Sequence, residues 1–250
     1  MNDAERVSAS PWDFRMRGLV FGLIYGFGFF VGINLQVNIY HNFTPTYALL
    51  GARWGDAGVH AFAILAALFA LAAFVIRVWG SSYLSSGIVW SEAVRTGQLR
   101  VSGPYRYVRN PLYLGNVLLA LGVGLLGPPA ATALIVLGNL LFVYRLIAIE
   151  ERSLARVHGA AYEQYRRMVP RLWPRLTPAQ LPSGEERPSL SDGLGGEIYI
   201  AAFALAMIYN AIFSWRSPNM AIMGLIFIAG FAIQIILRPF MRPRGQEVKS

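Results

Sequence analysis

The sequence predicts an all-α, polytopic integral membrane protein with about six transmembrane helices, and three observations predict it. Of 250 residues, 55% are hydrophobic and only 14% charged. The mean hydropathy is +0.45, which is too apolar for an ordinary soluble domain. Apolar runs lie at about Leu19 to Val37, Ala57 to Trp79, Leu112 to Gly127, Ala130 to Ile149, Glu197 to Trp215 and Met220 to Leu237. Most are close to the ~20 residues that cross a bilayer. Basic residues concentrate in cytoplasmic loops, and they sort cleanly here. With the N-terminus inside, the outer segments at roughly 38–56, 127–129 and 216–219 hold only Arg53 and Arg216 of the 22 Lys and Arg. The other 20 fall inside or, like Arg77 and Arg145, at inner ends of spans. Both termini are therefore expected in the cytoplasm, in the inner membrane if the source is a bacterium. The net charge of +9 reads as a girdle against anionic membrane lipids, not as a nucleic-acid surface.

The first run carries Gly22, Gly26, Gly28 and Gly32, whose four-residue spacings suit close helix packing. No strand precedes them, so a dinucleotide loop is excluded. No small-residue cleavage site follows the run, which is read as a retained helix. Trp54, Trp79 and Trp215 stand at or beside span ends, where an amphipathic ring settles at headgroup depth. After the second run a long connection, Gly80 to Arg109, has room for a short interfacial helix and a functional loop.

That loop, Ser102 to Asn116, packs basic and aromatic residues against a helix start. Asn110 is a favoured N-cap residue and Pro111 suits the first helical position, so a helix is expected from Pro111. Unpaired N–H groups and the helix dipole favour an anion there, and Arg106 and Arg109 immediately precede them. The third and fourth runs are joined only by Gly127-Pro128-Pro129, so they must be antiparallel neighbours. Their inner ends, one carrying Asn110 and Pro111, the other Tyr144, Arg145, Glu150 and Glu151, are brought around one pocket. The helix continues past the membrane as an amphipathic run with Leu154, Val157, Ala161, Tyr165 and Met168 on one face. After Pro170 comes a breaker-rich linker expected to be irregular. The last hairpin, Glu197 to Leu237, has few polar groups and ends in Arg238, Arg242, Arg244 and Lys249.

Two motifs resemble a known family. Gly103-Pro104-Tyr105-Arg106-Tyr107, followed by Arg109-Asn110-Pro111, Tyr113 and Gly115, is similar to the G-P-Y-R-Y-x-R-[HN]-P-x-Y-x-G signature of integral-membrane methyltransferases. These include isoprenylcysteine carboxyl methyltransferases and phospholipid N-methyltransferases. Asn110 stands where the carboxyl branch usually has His and is similar to the phospholipid branch. The stretch Glu150 to Arg171 resembles the family's second motif, E-E-x-x-L-x-x-x-[FH]-G-x-x-Y-x-x-Y-x-x-x-V-P-R. Arg145 lies five residues before Glu150, where the family often places an Arg four before. The resemblance covers about residues 60–176. It suggests an N-terminal helix and outer loop at 1–56, a methyltransferase core at 57–176, a linker at 177–196 and a C-terminal hairpin with basic tail at 197–250.

The resemblance implies transfer of a methyl group from S-adenosylmethionine to a lipophilic acceptor at the cytoplasmic face. The acceptor would be a prenylcysteine-type carboxylate or a phospholipid amine, with a small thiol or another hydrophobic molecule as the alternative. It implies cofactor contacts at Tyr105, Arg109, Asn110, Pro111, Tyr113, Gly115, Glu151 and Tyr165, with Arg145 and Glu150 as catalytic residues. Glu151 is expected to hold the cofactor's ammonium, with Glu150 turned toward Arg145 or the acceptor. A non-enzymatic lipid-binding or assembly protein would share the basic interface. A transporter is disfavoured, because the runs lack mid-membrane charges. The absence of cysteine excludes disulfides and thiolate sites. His41, His60 and His158 are too scattered for a metal cluster, so no metal is expected.

Overall fold

The computed structural model describes residues 12–84, 99–181 and 188–237. The basic tail, Pro182 to Gly184 of the linker and most of the expected interfacial helix after Gly80 lie outside the described residues. A helical turn at Trp12–Arg15 leads into α1, Arg17–Tyr40. The short α2, Thr46–Gly51, runs through a 3₁₀ turn into α3, Gly55–Ser82. Then follow α4, Pro111–Gly124, and α5, Pro129–Met168. Next come α6, Leu190–Gly196, and α7, Ile198–Tyr209, which continues as a π-turn at Asn210–Ser214. The last is α8, Met220–Leu237. Proline, whose missing N–H costs nothing at a first helical position, opens both α4 and α5.

Four helical stretches are long and apolar enough to cross a membrane: Arg17–Tyr40, Thr46–Ser82, Pro129–Met168 and Met220–Leu237. A fifth is reached if α6 and α7, bent by 69°, count as one span. The expected sixth, Leu112 to Gly127, is a helix of only 14 residues, about 21 Å at ~1.5 Å per residue, short of the ~30 Å hydrocarbon layer. It is buried on almost every side. By contrast α5 is 40 residues long, about 60 Å, so its second half projects beyond the layer, as the amphipathic run predicts. Gly159, at φ 49° and ψ −123°, breaks its regularity.

The helices form an arc in which neighbours pack in the order α1, α5, α4, α3, α7, α8. Small residues set the close approaches. On α3, Ala63, Ala66, Ala67, Ala70 and Ala73 are buried at helical spacing. On α1, Gly28 and Gly32 lie against Ile135 and Ala131 of α5, with no room for a Cβ, whereas Gly22 and Gly26 face open space. The glycine face is thus half packing surface. Exposed Leu19, Leu23, Phe27, Phe30, Leu225, Ile228 and Ile235 present an apolar outer surface, as an integral membrane protein requires. Arg53 and Arg216 share one end of the bundle, where Arg216 pairs with Asp56 at 2.6 Å. The signature loop lies at the other end. A cavity of about 950 Å³ occupies the space between α1 and α8, backed by α4 and α7.

The linker is less loose than its composition suggests. From Pro170 to Leu181 it is irregular but fastened to the signature loop. Arg109 N donates to Pro170 O at 2.9 Å, Arg175 N to Tyr107 O at 3.0 Å and Ala179 N to Arg106 O at 2.9 Å. Ser189 N then donates to Ser82 O at 2.8 Å, and α6 lies along α3.

Candidate active site

The tight turn between α4 and α5 brings Asn110 to the inner half of α5, as the sequence predicts. Glu151 is the hub. Its Oε1 accepts from Arg109 Nη2 at 2.9 Å and from Asn110 Nδ2 at 3.5 Å, and its Oε2 accepts from Arg171 Nη2 at 2.7 Å and Nε at 3.0 Å. Arg109 Nη1 also donates to Arg166 O at 2.8 Å. Both oxygens of the carboxylate expected to meet the cofactor's ammonium are therefore engaged by arginines. Arg171 lies inside the second motif, yet nothing in its spacing marked it as a partner of Glu151.

Asn110 does begin the helix, but its side chain makes no cap hydrogen bond. Its amide is a donor instead, to Arg171 O at 2.9 Å and toward Glu151. The reason is competition: a buried carboxylate and an unpaired carbonyl are stronger calls on Nδ2 than a helix N–H is on Oδ1. Tyr165 donates to Tyr105 O at 2.8 Å and meets the Tyr162 ring edge-on with centroids 6.2 Å apart. Burial raises both hydroxyls well above the usual phenol range, with Glu151 adding to the rise at Tyr162 and Tyr105 to that at Tyr165. Both remain protonated donors.

Glu150 is buried, whereas Arg145 is exposed. Five residues of helix separate them by about 140°, so the structure does not bring these two expected catalytic residues together. Tyr113 is buried and lines the large cavity. Pro111 is buried at the start of α4. Gly115 has a different neighbour from the one expected: a Cβ there would collide with Arg77 Cγ. Its lack of a side chain lets the arginine cross α4.

Three polar atoms on residues near Glu151 are buried without a hydrogen-bond partner among the described residues: Glu150 Oε2, Arg109 Nε and the Tyr162 hydroxyl oxygen. Unmet buried groups carry a cost of about 1–3 kcal/mol each, and native proteins hold few of them. One of the three is a carboxylate acceptor and one a guanidinium donor. Residues 59–161 match the family described as phospholipid methyltransferase. This stretch is similar to that family.

Relatives agree over parts of this stretch. The methanethiol S-methyltransferase of Crocosphaera subtropica is 43% identical over 72 residues, 28% of this chain and 27% of its own length. The protein-S-isoprenylcysteine O-methyltransferase of Schizosaccharomyces pombe is 41% identical over 86 residues, 34% of this chain and 36% of its own. The cobalt-zinc-cadmium resistance protein CzcN of Cupriavidus metallidurans is 30% identical over 128 residues, 50% and 56% of the two lengths. The chain thus spans between about a quarter and a little over half of these relatives. No solved structure matches it. Among the described residues no group of three His, Cys, Asp or Glu is placed to hold a metal.

A second charged cluster escaped the sequence reading. Arg77 of α3 and Glu197 at the start of α7 form a buried ion pair at 2.6 Å. They lie 120 residues apart, and each sits at the edge of an apolar run, so no local pattern joins them.

Proposed function

We propose that the chain transfers a methyl group from S-adenosylmethionine to a hydrophobic acceptor, at the cytoplasmic face of the membrane. One observation carries the reading. Arg109 Nε, just before the start of α4, and Glu150 Oε2 on α5 are a buried donor and a buried acceptor of opposite charge, both without a hydrogen-bond partner among the described residues. They fit the carboxylate and ammonium of the cofactor's amino-acid end. S-adenosylmethionine, when bound, supplies a methyl on a positively charged sulfur. The protein has to align the acceptor with that methyl and exclude water, and no covalent nucleophile is needed. Glu151 holds Arg109 in place, and Asn110 ties the signature loop to Arg171. Tyr162 offers a neutral donor at the same hub. Glu150 is thereby a cofactor contact, and exposed Arg145 takes no part.

The family match and the names of the relatives support methyl transfer. The hydrophobic acceptor is supported by the cavity, whose wall includes Leu112 and Tyr113 in the first turn of α4, next to Asn110. A small thiol, as in the name of the Crocosphaera relative, is the second reading; it would leave most of the 950 Å³ unused. The cytoplasmic orientation rests on the sorting of basic charge. Because the chain has no cysteine, single cysteines at exposed Gln164 and Ser217 should react with a membrane-impermeant reagent from the inside and outside respectively.

The direct test is calorimetry of S-adenosylmethionine binding in detergent, followed by transfer of labelled methyl into a membrane lipid extract. Glu150→Gln should weaken cofactor binding by about 1.5–3 kcal/mol, the range for a hydrogen bond to a charged group. Unchanged affinity would remove Glu150 from the site. Label appearing only in an added thiol would favour the second reading.

A further inference from the structure

Between α5 and α6, residues 170–181 form a strap pinned to the signature loop through Arg109 N to Pro170 O, Arg175 N to Tyr107 O and Ala179 N to Arg106 O. Its side chains divide into two sets. Leu172 joins the apolar cluster that holds Val108 and Tyr113, and Ala179 the one that holds Tyr162 and Tyr165. These two fasten the strap inward. Between them Trp173 is 64% exposed and Leu176 100% exposed. Arg171 and Arg175 on the strap are exposed as well, and so is Arg167 at the end of α5. One bare leucine on a surface is ordinary. A tryptophan and a leucine interleaved with arginines, on a backbone held in place, are the composition of a membrane interface.

The height of the strap agrees with that composition. Helix α3 is 28 residues long, about 42 Å at ~1.5 Å per residue, which matches the ~40–45 Å of a bilayer with its headgroups. Trp54 immediately precedes it and Trp79 stands in its last turn, so the two indoles mark the two headgroup layers. The Trp79 ring meets Tyr107 with centroids 5.7 Å apart. Tyr107 O is the acceptor of the Arg175 N–H at 3.0 Å. Backbone hydrogen bonding thus ties Arg175 to the aromatic belt at this end of the bundle, and Trp173 and Leu176 are its near neighbours in the chain.

We propose that the strap is seated in the bilayer on the signature-loop side, with Trp173 and Leu176 among the lipid headgroups and upper chains and Arg167 and Arg175 on the phosphates of anionic lipids. Arg171 is committed to Glu151. Arg175 gives only Nη1 to the protein, donating to Met168 O at 2.7 Å, and keeps its other N–H groups for lipid. A second copy of the chain or another protein could cover the same two apolar side chains, but the height of the belt and the flanking positive charge fit anionic lipid. None of Arg167, Trp173, Arg175 and Leu176 belongs to the proposed methyl-transfer site, so the surface does not depend on that reading.

The test exploits the absence of cysteine. A nitroxide is attached to the full chain at Leu176→Cys and, separately, at Gln164→Cys, both exposed positions that the fold does not need. The labelled chains are placed in nanodiscs of equal parts phosphatidylcholine and phosphatidylglycerol. Electron paramagnetic resonance then reads the collision of each label with oxygen, which concentrates in lipid, and with a nickel chelate, which stays in water. The oxygen-to-nickel ratio should be several-fold higher at 176 than at 164. Equal ratios would put Leu176 in water and overturn the proposal. A label at 176 shielded from both reagents would mean that protein covers the strap, and would overturn it too. In nanodiscs of phosphatidylcholine alone, the ratio of lipid-exposed to water-exposed label at 176 should fall by at least about fivefold, equivalent to the ~1 kcal/mol that one basic residue contributes at an anionic surface. An unchanged ratio would remove anionic lipid as the partner. Failure of S-adenosylmethionine to bind would count against the function proposed above and leave these results standing, since no methyl donor is present.

Discussion

Two arginine–glutamate clusters lie buried in this molecule, and they differ in what they leave unmet. Arg77 and Glu197 join α3 to α7, and every guanidinium N–H has a protein acceptor, while Ser81 adds a further donor to Glu197 Oε1 at 2.6 Å. Arg109 and Glu151 join the signature loop to α5, and there an arginine N–H, a second carboxylate oxygen and a tyrosine hydroxyl remain open. A closed cluster serves the fold, since nothing is left to recognise a ligand. An open one holds polar groups in readiness, at a cost that only a bound partner recovers. The contrast also separates the stretch that matches the family from what surrounds it. Glu197 lies outside the matched residues 59–161, so the closed cluster anchors the C-terminal helices to that stretch.

The contrast breaks first, and by the largest margin, at the closed cluster. Arg77→Met leaves Glu197 charged and unpaired, and loss of one partner of a buried ion pair costs about 3–5 kcal/mol. Denaturant unfolding in detergent should show that loss, while the surviving folded chain binds S-adenosylmethionine as before. Adding Glu197→Met should recover a large part of it, since a buried pair replaced by apolar groups is often neutral. A cofactor defect in the folded single variant would mean that the clusters are not separate.

Exchanging the two glutamates sharpens the comparison within the open cluster. Glu151→Gln strips a carboxylate from Arg109 and Arg171. It should cost about 1.5–3 kcal/mol for the hydrogen bonds to charge, toward the lower end because Arg171 is 44% exposed and partly screened. Glu150→Gln should leave unfolding almost unchanged and act on cofactor affinity alone. If both variants lost stability equally and neither lost affinity, the open atoms would have no ligand role.

Much of this was legible in the sequence, because it is written in local pattern. Apolar run length marked the spans, and the short turn at Gly127-Pro128-Pro129 placed Asn110 beside the glutamate pair. What stayed hidden depended on distance in the chain or on geometry. Glu197 meets Arg77 across 120 residues. Which glutamate stays open depends on where Arg171 reaches after the chain turns at Pro170. Periodicity places Glu150 and Glu151 about 100° apart on a helix, but it cannot say which of them the arginines will take. The length of α4 was also decided elsewhere, since packing among α3, α5 and α7 keeps a 14-residue helix buried where a full span was expected.

Gly115 sits at the boundary between the two clusters. The family signature makes it a candidate cofactor contact, whereas the structure sets it over the stem of Arg77. Gly115→Ala should therefore cost about 1–3 kcal/mol through overpacking, read as a lower unfolding temperature. If stability held and cofactor affinity fell, the glycine would belong with the open cluster.

The smallest expected effect separates two roles for Asn110. As a side-chain cap it would accept from a helix N–H, and Asp would serve as well as Asn, the two being equally favoured at N-caps. As observed, it donates to Arg171 O at 2.9 Å and points the same amide at Glu151. Asn110→Ala should then cost about 1 kcal/mol, the net worth of an ordinary hydrogen bond. Asp cannot donate and would place a second negative charge beside Glu151, so Asn110→Asp should be less stable than Asn110→Ala. His carries a ring N–H able to donate and should be tolerated best of the three, in keeping with the His that the carboxyl methyltransferase branch has at this position. The order of unfolding midpoints across the three variants decides the matter: Asp above Ala would restore the capping role, and Asp below Ala with His above both would establish Asn110 as the donor that closes the signature loop onto the glutamate hub.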